Sequence, residues 1–125
     1  MKNALFCTLI ISCIFTLPAC TQPQPGQVTS ASVYYTVTST TSDVFSVVYY
    51  IPDGNISDAL DHTTPFASAA YTFTSGQQIG ITVKNVSHSY GNETLTVGIY
   101  KDGAVWKTTT QTIGYLGTIT LNGSL

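Results

Sequence analysis

The chain has 125 residues, with four Lys or Arg against six Asp or Glu, and only 8 % of its side chains are charged. Residues 20–125 hold three Lys, no Arg, five Asp and one Glu, a formal charge of −3 that excludes a basic nucleic-acid-binding surface. Thr, Ser, Val, Tyr and Gly dominate that part, whereas the Glu, Lys, Leu and Ala that fill helices are scarce, so an all-β domain is expected.

Residues 1–19 follow the plan of an export signal. Lys2 supplies a positive charge, an apolar run extends from Ala4 to Leu17, and the small Ala19 precedes Cys20. The run is shorter than the roughly 20 apolar residues of a transmembrane helix. Its ending, Leu17-Pro18-Ala19-Cys20, resembles the lipobox of bacterial lipoproteins. The resemblance implies cleavage between Ala19 and Cys20, a diacylglycerol on the Cys20 thiol, and acylation of the new amino group. Each buried CH₂ contributes about 0.8 kcal/mol, and two chains hold a protein stably to a bilayer. Thr21, where some lipoproteins carry Asp, implies passage to the outer membrane. Cys7 and Cys13 fall within the discarded segment, so Cys20 is the sole thiol left and no internal disulfide can form. About 100 residues must then stand on one hydrophobic core, burying roughly 60 to 70 % of their unfolded surface.

Residues 20–32 contain two prolines, a glycine and no charge, and read as a tether reaching at most roughly 35 to 40 Å. From Val33 the period becomes two, with Val33, Tyr35 and Val37 on one face and Tyr34, Thr36 and Thr38 on the other. A polar turn, Ser39–Asp43, leads to the apolar run Val44–Ile51, and the two runs are expected to form a hairpin. Residues 52–65 read as the longest loop. Phe66–Thr74 is expected as a strand with Ala69, Tyr71 and Phe73 inward, followed by a turn at Ser75-Gly76. Gln78–Val86 alternates most cleanly, with Ile79, Ile81 and Val83 on one face and Gln78, Gly80, Thr82 and Lys84 on the other. Glu93–Tyr100 repeats the pattern with Leu95, Val97 and Ile99 inward. Asp102-Gly103 then predicts a tight hairpin to Val105–Thr110, because both central positions need positive φ. Tyr115–Leu121 is expected as the last strand. Seven runs at this spacing argue for a two-sheet sandwich over residues 33–125.

Several short patterns, Tyr34-Tyr35-Thr36-Val37, Val48-Tyr49-Tyr50, Pro65-Phe66, Ile81-Thr82-Val83-Lys84-Asn85, Val97-Gly98-Ile99-Tyr100-Lys101-Asp102-Gly103 and Gly123-Ser124-Leu125, resemble the accessory proteins of the mycobacterial MmpS type and small lipoproteins of Bacteroidetes. The resemblance implies a seven-stranded antiparallel immunoglobulin-like β-sandwich. MmpS-type proteins are held by a transmembrane helix and work beside large exporters, whereas this chain carries a lipid-attachment pattern instead.

Chemistry-bearing residues are few. Asp53, Asn55, Ser57 and Asp61 place oxygens at alternate positions as a calcium loop would, but the sixth position is Asp58 rather than Gly and the twelfth is Thr64 rather than Glu. His62 and His88 are the side chains suited to act as a base near neutral pH, and no pattern pairs either with a nucleophile and an orienting carboxylate. No enzymatic activity, cofactor or resident metal is therefore expected. Eight Tyr and one Trp are many for a small domain. Alternation turns Tyr34, Tyr50 and Tyr100 away from the core, and with Trp106 they form a candidate binding face. The expectation is an envelope accessory module that engages a protein partner, with a carbohydrate or other small ligand as the alternative.

Overall fold

The computed structural model describes residues 29–41, 44–54, 56–87 and 91–125, and of residues 57–61 the backbone alone. The expected signal segment, Ala19, Cys20 and the tether as far as residue 28 lie outside the described residues. Nine strands are found among those described: β1 Ser30–Ser39, β2 Val44–Tyr50, β3 Ile56–Thr63, β4 Phe66–Ala67, β5 Tyr71–Thr74, β6 Gln78–Asn85, β7 Glu93–Lys101, β8 Ala104–Ile113 and β9 Thr118–Ser124. They form two antiparallel sheets. One has the order β4-β1-β7-β8, with β5 also paired to β1, and the other has the order β3-β2-β6-β9.

Period-two alternation decides which side chains face between the sheets. Val33, Tyr35 and Val37 of β1 are fully buried, as are Ile79 and Val83 of β6 and Val97 and Ile99 of β7, with Phe45, Val47, Phe73, Ile81, Leu95 and Ile119 at 1 % exposure or less. These residues make one core cluster fed by both sheets, a two-layer, sandwich-like arrangement. At about 1.5 to 3 kcal/mol per fully buried large apolar side chain, this cluster is the main favourable term in folding.

The core also absorbs tyrosines by satisfying their hydroxyls. Tyr35 crosses from the β1 sheet and donates its Oη–H to the Tyr50 carbonyl at 3.0 Å. Its ring lies 5.1 Å from that of Tyr49, and Tyr49 lies 6.1 Å from Tyr71. Burial, the larger influence, and the neighbouring tyrosines push the Tyr35 phenol well above the ordinary tyrosine value. Tyr71 is raised as well, chiefly by its hydrogen bond with Tyr49.

Four expectations are corrected. The expected seven strands are nine, because residues 56–63 of the presumed loop form β3, antiparallel to β2 from Val44↔Thr63 to Tyr50↔Ile56. The presumed strand Phe66–Thr74 is two short strands on β1, with Ala69 exposed between them rather than inward. The runs at Val33 and Val44 do not make a hairpin, since β1 and β2 belong to different sheets and the chain crosses between layers after Ser39. The last strand begins at Thr118, with Tyr115 and Leu116 in the turn before it. The Asp-Gly hairpin is present: Asp102 and Gly103 take φ of 50° and 80°, and β7 pairs with β8 on either side.

Candidate functional site

Two of the four candidate aromatics come together. Tyr34 and Tyr100 are directly opposed across β1 and β7, and their rings stack at 4.6 Å with planes 10° apart. Tyr50 lies in the other sheet, so no continuous row of Tyr34, Tyr50 and Tyr100 exists. Trp106 is separate again. Ile99 opposes Lys107 and Tyr100 opposes Val105, which leaves Trp106 as the extra residue of a β-bulge. A bulge re-aims its side chain, and the half-buried Trp106 packs against the core edge and over Gly123 of β9. Lys107 covers its ring at 4.9 Å and donates to the Asn122 carbonyl at 2.6 Å, tying β8 to β9.

Each of these environments includes a glycine. A Cβ at Gly98 would sit 3.2 Å from the Tyr100 ring, one at Gly80 would sit 3.1 Å from the Tyr50 ring, and one at Gly123 would sit 2.5 Å from the Trp106 ring. The aromatics cover backbone that glycine leaves bare, the pairing known from sheets as aromatic rescue. Stacked against each other, Tyr34 and Tyr100 screen one another's faces and offer a ligand mainly ring edges.

Around Gly80 the cover is incomplete. An open groove of about 110 Å³ lies in the β3-β2-β6-β9 sheet, lined by residues of all four strands. Tyr50, Val48 and Ile56 give it apolar walls, and Ile56 is 53 % exposed. Thr82, Thr120 and Asn122 supply hydroxyl and amide groups, and the Thr82 and Thr120 hydroxyls are 3.1 Å apart. Among the described residues, none that lines it is acidic or basic. The groove exists because Gly80 has no side chain at a position where alternation points outward. That glycine, inside the most regular strand, was the signal available in the sequence. Ile56 was hidden by the assignment of its segment to a loop.

The calcium candidate falls in β3 and the turn before it. Asp53 is exposed in that turn, while Asn55 and the side chains of Ser57 and Asp61 lie outside the described residues. Among the described residues no group of three or more His, Cys, Asp or Glu is placed to hold a metal ion. His62 packs on Phe66, ring centroids 4.8 Å apart, and His88 is outside the described residues. Among the described residues no helix is long and apolar enough to cross a membrane. The chain matches no protein-family model and no curated protein.

Proposed function

We propose that this protein is a non-catalytic binding module of a bacterial cell envelope, an immunoglobulin-like sandwich held at the outer membrane by a lipid on Cys20, and that it binds a small neutral ligand of the carbohydrate class in the groove over Gly80. The groove carries the proposal. It combines an aromatic ring, an exposed aliphatic side chain, two hydroxyls and a carboxamide in about 110 Å³, without a charged group among the described residues. Sugar rings present an apolar C–H face beside hydroxyls that donate and accept. Tyr50 and Ile56 suit the first, and Asn122, Thr82 and Thr120 suit the second. A charged ligand would find no counter-ion among the described lining residues.

Titration of the isotopically labelled protein with a panel of neutral methyl glycosides tests this. The Gly80, Thr82 and Asn122 amides are expected to shift saturably with at least one sugar, and Asn122→Leu to abolish the shifts while leaving the rest of the spectrum in place. Shifts confined to other regions, or none at all, would remove the groove from the account. A protein partner is the alternative, favoured by β8, which ends its sheet and offers ten residues for strand addition. Crosslinking from β8 in intact membranes that captures one protein, together with silent groove amides, would favour it.

A further inference from the structure

The outer face of the β4-β1-β7-β8 sheet differs in composition from that of the β3-β2-β6-β9 sheet, which carries Gln78, Lys84 and Asn122. The outward strand positions of the former are Thr, Ser, Tyr, Gly and Ala, with the exposed Val105 opposite Tyr100 at one end, and among the described strand residues none of them is acidic, basic or an amide. The threonines fall in register. Thr38, Thr96 and Thr110 make one rank across three strands, Thr94 and Thr112 the next, and Thr36 and Thr108 flank Gly98 in a third. Hydroxyls of neighbouring strands are paired at 2.7 Å in Thr94–Thr112 and 2.8 Å in Thr96–Thr110, and Thr108 donates to the Val97 carbonyl at 3.2 Å.

These bonds fix the rotamers of Thr94, Thr96, Thr108, Thr110 and Thr112, so hydroxyl pairs recur at roughly 6.7 Å along strands that lie roughly 4.8 Å apart. The paired hydroxyls are as far apart as hydrogen-bonded waters. We propose that this face binds the surface of an ice crystal. Ice is flat on this scale, uncharged, and built of oxygens at a repeat of the same order. Charged side chains, whose hydration shells are oriented radially, are what such a surface would reject, and the face has none. Methyl groups set between hydroxyls let water settle into an ordered layer without being held too tightly. A polysaccharide fits less well, because the Thr94–Thr112 and Thr96–Thr110 hydroxyls already satisfy one another and no amide or carboxylate stands among them to read a sugar. Rotamers locked before contact lose little entropy on binding.

The site is independent of the Gly80 groove, which lies on the other sheet. Slow growth of an ice hemisphere from a solution of the full chain and an inert protein provides the test. The full chain is expected to be enriched in the ice several-fold over the inert protein, and to shape crystals held just below the melting point. Thr110→Lys and Thr38→Lys, both at exposed positions, should lose the enrichment. Thr118→Lys on the opposite sheet should keep it, with all three variants showing unchanged circular dichroism. Exclusion of the unmodified chain from ice would overturn the proposal. So would equal enrichment of all three variants, or retention on insoluble chitin or cellulose without enrichment in ice.

Discussion

Glycine 123 is covered by the Trp106 ring so closely that a methyl group has no space. An added Cβ would lie 2.5 Å from the ring and 3.1 Å from the Lys107 ammonium. A planar ring anchored by a bulge cannot rotate away, so Gly123→Ala is expected to destabilise by the roughly 1 to 3 kcal/mol typical of overpacking. Gly98 is the contrasting case. Its nearest neighbour, at 2.8 Å, is the Thr36 hydroxyl, which can change rotamer, and alanine there also relieves the conformational entropy cost of glycine in a strand. Gly98→Ala should therefore cost less than Gly123→Ala by about 1 kcal/mol or more. Urea denaturation midpoints of the two variants decide this, and equal losses would mean that the Trp106 ring yields as readily as a hydroxyl. Leu116 is the other residue under constraint. It holds φ at 61° although it is not glycine, with its N–H donated to the Asn85 carbonyl at 2.9 Å, and its side chain remains 48 % exposed.

At the scale of strands, alternation revealed faces but not neighbours. Every inward position expected in β1, β6 and β7 is buried, because one wet and one dry side leave a period of two in the sequence whatever the partner strand. The same signal says nothing about which sheet a strand joins, so adjacent runs at Val33 and Val44 read as a hairpin although the chain changes layers between them. Strand β3 was illegible for a different reason. Ile56-Ser57-Asp58-Ala59-Leu60-Asp61-His62-Thr63 does not alternate, carries two aspartates, and pairs with β2 through a register shift between Phe45 and Val47. Its place in the sheet comes from tertiary pairing rather than local propensity. The groove inherits the uneven record: Gly80 and Thr82 were placed outward correctly, while Ile56 could not be placed without β3.

Tyr35 of β1, bonded to the Tyr50 carbonyl of β2, joins the two layers through the core, as Lys107 joins them at the β8–β9 edge. Removing the Tyr35 hydroxyl leaves the Tyr50 carbonyl without this partner, and Tyr35→Phe should cost about 1 to 3 kcal/mol at neutral pH. The pH dependence has a definite sign. Because the folded phenol titrates above its ordinary value of 10.0, its contribution is complete below pH 10. It is lost as pH rises further, where the unfolded chain releases the proton that the folded chain keeps. Denaturation midpoints are expected to fall above pH 10, and to fall less steeply in Tyr35→Phe. A variant curve parallel to that of the unmodified protein would mean that other groups govern the alkaline loss.

The whole molecule has two poles. At one, Thr29 accepts from Ser75, Gly76 donates to the Leu125 carbonyl, and Asp102 closes over Ser32 by accepting its N–H at 2.8 Å. The chain enters β1 at this pole, so a lipid on Cys20 would hold it toward the bilayer and turn the other pole, with Tyr115 and Leu116, outward. The groove and the threonine face lie on the two sides, where attachment through Cys20 would leave both open to solvent. The account depends on that attachment, and metabolic labelling with a palmitate analogue in a bacterial host, followed by membrane fractionation, tests it most directly. The unmodified chain is predicted to carry label and sediment with membranes, and Cys20→Ala to carry none and leave the membrane fraction. Label persisting on Cys20→Ala, or an unlabelled unmodified chain, would contradict it.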